Sequence, residues 1–247
     1  KKPIAALKTG KTKAGARAAM SHTGAIAGSD EIYDSVFGQV GVIRAKDMEE
    51  FFDVGKALAF QPPAEGKNVA VITDAGGPGV MAVDESESKG LNVKRFSDET
   101  VQRFEKLKRE EKIPSFATNL NPVDLTGSVT SEMFELSTKI VFDDPDIHGI
   151  LLLGMHHTPS LQEDFIDRVA NISKNYTKPI VACAIGETEM ALYIRSRFDK
   201  LGIPSYSSPE DAARAMAALV KYGQYLRKNN CFAQYLDAFQ KQMIVSR

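Results

Sequence analysis

A doubly wound α/β fold, with parallel sheets covered by helices on both faces, is what the sequence predicts, and three observations predict it. Short apolar stretches such as Pro3–Leu7, Asn68–Thr73, Gly149–Leu153 and Pro179–Ala184 alternate with longer stretches of helical spacing. Strands separated by helices pair in parallel, because each crossover returns the chain to the same end of the sheet. Glycine and proline breakers fall between the periodic stretches, the strongest being Gln61-Pro62-Pro63-Ala64-Glu65-Gly66.

Taken in order, Pro3–Leu7 reads as a strand and is followed by a glycine-rich stretch, 14–29, that reads as a loop of small residues. Asp30–Gln39 carries Ile32, Tyr33, Val36 and Phe37 at helical spacing and is closed by Gly41. Val42–Ala45 is a strand, and Met48–Ala59 a helix with Phe51, Phe52, Val54 and Leu58 on its apolar stripe. After the linker at 61–67 the strand Asn68–Thr73 runs into a tight turn, Asp74–Gly79, that opens a helix through Lys89, with Pro78 suited to a first helical position. Leu91–Arg95 is the next expected strand, Asp98–Lys108 a helix, and Pro114–Asp124 an irregular polar segment. Helices at Ser131–Phe142, Glu163–Asn175 and Thr188–Leu201 then alternate with strands at Gly149–Leu153, Pro179–Ala184 and Pro204–Tyr206. Ser208-Pro209-Glu210 opens a last helix through Tyr225.

This pattern divides the chain into residues 1–60, a linker at 61–67, a second unit at 68–228 and a tail at 229–247. Two strands and two helices in the first unit bury little surface for a free-standing domain. We expect residues 1–60 to be the end of a larger α/β domain.

Composition narrows the function classes. The 247 residues are 43% hydrophobic and 26% charged, as in ordinary globular chains. A net charge of −1, from 31 basic and 32 acidic residues, argues against a broad nucleic-acid surface. No apolar run reaches the roughly 18 residues of a membrane span. Cys183 and Cys231 are far apart and have neither disulfide nor metal-ligand spacing, so no metal site is expected. With no signal-peptide pattern at Lys1-Lys2-Pro3, the expected location is the cytoplasm.

Three places carry candidate chemistry. His22 sits among small residues, in Ser21-His22-Thr23-Gly24-Ala25, where a neutral imidazole suits a nucleophile or proton carrier; the alternative is an incidental histidine. Lys11, Lys13 and Arg17 precede it, either to counter a bound phosphate or simply as solvated charges. At the second place, Gly76, Gly77 and Gly79 clear side chains from a helix N-terminus, where free N–H groups and the helix dipole favour an anion. This is neither Gly-x-Gly-x-x-Gly nor a Walker loop, and glycine turns between strand and helix are common for packing reasons alone. In the third place, Asn121-Pro122-Val123-Asp124, Asp124 either orients a histidine or caps the following helix. His156-His157 falls at the same expected strand-end rim, as a site or as two exposed polar residues, and His148 reads as a surface residue.

Together these pieces resemble the ADP-forming acyl-CoA synthetases, relatives of succinyl-CoA synthetase. The matching segments are Lys2–Gly10, the Ser-His-Thr-Gly-Ala stretch, Gly41-Val42-Ile43-Arg44, Thr73–Gly79 and Asn121–Asp124, which in order and spacing cover the chain to about Lys228. Ser21-His22-Thr23-Gly24-Ala25 follows the ADP-forming branch rather than the Gly-His-Ala-Gly-Ala of the succinyl-CoA branch. The resemblance implies flavodoxin-like domains and an acid–CoA ligase in which His22 is phosphorylated, with Ser21, Thr23, Gly24 and Asp124 in support. Gly76, Gly77 and Gly79 would then hold the phosphate. It further implies CoA, ADP or ATP, phosphate and Mg as the needs of the complete enzyme, with none held tightly by this chain. CoA-binding and ATP-grasp domains are implied as partners, in an oligomer. A non-catalytic, acyl-CoA-responsive module that kept the fold is the alternative.

Overall fold

The computed structural model describes residues 2–23, 29–156 and 158–245, and for His22, Thr23, Ile244 and Val245 the backbone alone. Its strands form two parallel sheets. The smaller pairs β1 (Ile4–Leu7) with β2 (Val42–Ala45) in the register Ile4–Val42 to Leu7–Ala45. Between them lie α1 (Lys13–Thr23) and α2 (Asp30–Val40), and α3 (Met48–Phe60) follows.

α1 occupies much of the stretch read as a loop. Ala14, Ala16, Ala18 and Ala19 are small, but alanine is also the best helix former, and that preference wins here. Thr12 caps the helix, its hydroxyl accepting the Gly15 N–H at 3.1 Å. α2 ends at Gly41, whose φ of +75° is the left-handed turn that glycine adopts readily. A side chain at Gly41 would also strike the Tyr225 ring, 2.3 Å away. α3 is capped by Asp47, which accepts the Glu50 N–H, and it buries Val54, Ala57 and Leu58.

The larger sheet has the order β4-β3-β5-β6-β7, all parallel, with β3 (Val69–Thr73), β4 (Val123–Asp124), β5 (Gly149–Leu153), β6 (Ile180–Cys183) and β7 (Ser205–Tyr206). In chain order within the sheet this is 2-1-3-4-5, the flavodoxin-like winding. Alternate residues divide the core between two faces. Ala70, Ile72, Ile150, Leu152, Ile180 and Ala182 meet α5 (Asp98–Arg109), α6 (Ser131–Asp143), α7 (Asp164–Ser173) and α8 (Glu189–Lys200) through Phe104, Phe134, Phe165 and Phe198. Val69, Val71, Leu151, Leu153, Val181 and Cys183 meet α4 (Gly76–Ser88) and α9 (Pro209–Lys228). Ile43, Val54, Ala57 and Leu58 join that second cluster, so the smaller sheet and the larger one share a core through α3 and α9.

Two further expectations are corrected. The stretch Leu91–Arg95 forms no strand beyond one parallel bridge between Asn92 and Asn68. Asn121 explains why: its side-chain oxygen accepts the Val71 N–H at 3.0 Å, and its amide nitrogen donates to Val69 O and Lys94 O at 2.9 and 2.8 Å. The side chain thus stands between β3 and the segment expected to pair with it. The last helix is not α9, which runs on to Lys228; α10 (Phe232–Val245) follows, with Tyr235 against Tyr222 at 5.3 Å between ring centroids. Within the stretch 61–67, Gln61, Pro63 and Ala64 are buried while Glu65 and Lys67 are exposed. Gln61 is 8% exposed, accepts the Ile180 N–H at 2.8 Å and donates to Gly202 O at 2.6 Å, while Ala64 lies against Gly223 of α9. Among the described residues no helix is long and apolar enough to cross a membrane.

Candidate active site

In a sheet of order 2-1-3-4-5 the crevice opens at the carboxyl ends of the strands, between the two whose crossovers diverge, here β3 and β5. The chain leaving β3 turns directly into α4. Thr73 Oγ1 lies 3.0 Å from both the N and the O of Ala75, the cap position, and no side chain caps the helix. The first bond of the helix runs from Gly79 N–H to Ala75 O at 3.1 Å. The amides of Gly76 and Gly77 precede it and meet no acceptor among the described residues. Pro78, which has no N–H, stands at the third helical position rather than the first as expected; all three places lie in the turn where a missing donor is tolerated.

The three glycines do different work. Gly77 is exposed, and a Cβ there would meet nothing within 4 Å. A Cβ on Gly76 would come within 3.0 Å of Asp124 Oδ2. Gly79 is buried, and its Cβ would lie 2.9 Å from Thr73 Cγ2, so this glycine serves packing. Open ground at Gly77 beside two amides unpaired among the described residues, with no acidic side chain in the first turn, suits an anion, while the Asp124 carboxylate borders the mouth at Gly76.

Asp124 ends β4 beside this mouth. Of the two roles open to it in the sequence, capping goes to another residue: Thr130 caps α6 by accepting the Met133 N–H at 3.3 Å. Asp124 instead accepts the Thr126 N–H on Oδ1 at 2.9 Å, leaving Oδ2 toward Gly76. Sequence reasoning quoted Asp74 as part of the turn and gave it no role. It is 3% exposed, and both its oxygens lie 2.9 Å from the Met155 N–H. Burial is the main cause that pushes its carboxyl up to about 6; the Met155 N–H opposes this and Asp124 adds to it. A charged residue directly after a strand buried along its whole length was the available signal.

The structure does not join the other candidates to this mouth by any hydrogen bond among the described residues. His22 lies in the last turn of α1, not on a free loop, and its side chain, that of Thr23, and Gly24 lie outside the described residues. Ser21 is exposed, as are Lys13 and Arg17, while Lys11 Nζ donates to Lys46 O at 2.6 Å. His156 Nε2 lies 3.1 Å from Thr188 Oγ1, the cap of α8, which makes it a tie between two strand exits; His157 lies outside the described residues. His148, expected at the surface, is half-buried: its Nδ1 accepts the Asn68 N–H at 3.3 Å, and burial lowers its pKa. No group of three or more His, Cys, Asp or Glu able to hold a metal occurs among the described residues.

Comparison with known proteins gives this geometry its relatives. The chain is 36% identical over 233 residues to subunit alpha of acetate–CoA ligase (ADP-forming) I from Pyrococcus furiosus, covering 93% of this chain and 48% of that protein. It is 31% identical over 229 residues to 4-hydroxybutyrate–CoA ligase (ADP-forming) from Nitrosopumilus maritimus, covering 93% and 32%. Among solved structures, the dinucleotide-forming acetyl-coenzyme A synthetase 1 of Ca. Korarchaeum cryptofilum, in complex with phosphate and ADP, superposes with a TM-score of 0.82 at 33% identity, over 93% of this chain and 49% of that one. The chain therefore spans from a third to a half of the length of these relatives. Residues 1–58 match the succinyl-CoA ligase like flavodoxin domain and residues 69–230 the Ligase-CoA domain. With two thirds of its length in that second match, the chain belongs to the Ligase-CoA domain family.

Proposed function

We propose that the chain is part of an acid–CoA ligase that interconverts acyl-CoA, ADP and phosphate with acid, CoA and ATP through a phosphohistidine at His22. Phosphate attacks the thioester to give an acyl phosphate and release CoA. The imidazole of His22 then takes the phosphoryl group and releases the acid, and ADP finally takes it from His22 to give ATP. The observation that carries the reading is the mouth of α4, where the exposed amides of Gly76 and Gly77 meet no acceptor among the described residues at the switch point of the sheet, with open ground at Gly77. Those N–H groups stabilise a phosphoryl group as neutral dipoles, without supplying a proton for its hydrolysis. Gly76 and Gly77 are the phosphate-binding residues and Gly79 shapes their turn, with Asp124 alongside. Ser21, Thr23 and Gly24 support His22.

In this reading residues 1–60 are a flavodoxin-like portion bearing the histidine, 61–67 the connection, 68–228 the second flavodoxin-like domain and 229–247 a C-terminal segment. CoA-binding and ATP-grasp domains, on this or another chain, complete the enzyme as an oligomer and bring the CoA, nucleotide and Mg sites, in the cytoplasm. The test supplies those domains together with ATP and Mg²⁺. An acid-labile, base-stable phosphate should appear on His22 and be absent from His22→Ala; stoichiometric labelling of His22→Ala would overturn the shuttle.

A further inference from the structure

The phosphoryl shuttle makes no use of Asp74, a buried carboxylate at the centre of the crevice. β3 and β5 pair as far as Thr73 and Leu153, and beyond them the two chains diverge into different crossovers. Asp74 bridges that divergence, with both oxygens 2.9 Å from the N–H of Met155, two residues past β5. Among the described residues no cation offsets its charge. Asp124 faces it from β4, the Met155 N–H from β5, and the glycine turn of α4 lies on its own chain. A buried carboxylate with no counter-ion is retained against an unfavourable desolvation, so its hydrogen bonds must be holding something in place.

We infer that Asp74 is a positioning residue of the anion site, its carboxylate holding the exit of β5 against the strand end that leads into the glycine turn, so that the two loops form one mouth. This rests on the reading of that turn as an anion site. Protonation converts one acceptor oxygen into a donor hydroxyl and weakens the hold on Met155. The carboxyl is pushed up to about 6, so the hold is intact above that pH and fades as pH falls through it.

The test uses the full chain and sulfate, an anion whose own charge stays constant from pH ~8 to ~5, the range in which histidine and raised carboxylates titrate. Sulfate affinity should fall below pH about 6 in the wild type. In Asp74→Asn it should be about tenfold weaker and flat across that step, the tenfold being the size of one lost charge-assisted bond. The protection factor of the Met155 amide, its exchange rate relative to the intrinsic rate at the same pH, should fall by about the same factor in the variant, and on acidification of the wild type, a measurement that needs no variant to fold. An unchanged Met155 protection factor in both cases overturns the inference, and so does a wild-type affinity that rises on acidification relative to Asp74→Asn. Gly77→Val separates the two levels. If it abolishes sulfate binding while Asp74→Asn keeps the wild-type profile, the role of Asp74 alone fails. Sulfate binding that survives Gly77→Val unchanged removes the anion site and this role with it.

Discussion

Replacing Gly77 with valine tests the anion mouth at its most exposed point. A Cβ at this position meets nothing within 4 Å, so the branched side chain enters open space rather than the core. Gly77 stands at the second position of α4, with no left-handed φ, and valine there improves helix propensity by a few tenths of a kcal/mol. The fold should therefore be unchanged within about 0.5 kcal/mol, as for other surface substitutions. Its methyl groups, however, fill the space above the amides of Gly76 and Gly77 and exclude an anion. By analogy with a lost oxyanion donor, the loss is about 2–4 kcal/mol, or roughly thirtyfold to a thousandfold in phosphoryl transfer. Two assays decide it together: the melting temperature of the chain, and labelling of His22 in the presence of the CoA-binding and ATP-grasp domains of the proposed enzyme. Gly79→Val provides the contrast, since its Cβ would press on Thr73 Cγ2 at 2.9 Å, and it should lower stability by about 1–3 kcal/mol. Retained transfer in Gly77→Val with a lowered melting temperature would show that the turn serves packing alone.

Hydrogen exchange should be fast in α1 and α2, neither of which contributes a buried residue among the described side chains, and slow in α3 and the strands of the larger sheet, where Val54, Ala57 and Leu58 share the core of α9; uniform protection of residues 2–60 would contradict this. Gln61→Ala should destabilise by about 1–3 kcal/mol, measured by denaturant unfolding, because the buried Ile180 N–H loses its acceptor and Gly202 O its donor. Asp53 on α3 is pushed up to about 6 by burial, with Asp211 of α9 adding to it. Its folded pKa lies above the unfolded value, so it lowers stability increasingly as pH rises from about 4 to about 6, and the penalty persists above that. Asp53→Asn should therefore raise stability at neutral pH by about 1 kcal/mol, after allowance for solvent screening, and by nothing near pH ~4, as read by melting temperature at the two pH values.

The strands β3, β5 and β6 were legible in the sequence because fully buried strands read as unbroken apolar runs bounded by breakers. The glycine turn was legible for a similar local reason: a strand, three glycines and a proline leave few other conformations. What escaped depended on distant partners. The 91–95 stretch has strand-like residues but loses its neighbour to the side chain of Asn121, thirty residues away, and no periodicity records that. α1 was hidden because small residues favour both turns and helices, and Thr12 as a cap was the overlooked signal. Asp74 could be quoted but not understood, since its partner is a backbone amide 81 residues away, beyond the end of β5.

If His22 carries a phosphoryl group between two sites, as proposed, the pairing of β1 with β2 bears on how far it can travel. The crossover that bears it leaves β1 at Leu7 and enters β2 at Val42, fixed at opposite ends of the strand pair, since Leu7 lies beside Ala45 and Val42 beside Ile4; left-handed glycines stand at each end, Gly10 with φ +74° and Gly41 with φ +75°. The histidine is thus a weight on a leash pegged at both ends, and the leash length is set by whether α1 is wound. As a helix, the nine steps from Lys13 to His22 span about 14 Å. Fully drawn out, the same nine steps reach about 30 Å. Swung whole about one end, α1 carries its far end between stations up to about 27 Å apart; stations farther apart than that require it to unwind, against the stability of an eleven-residue helix.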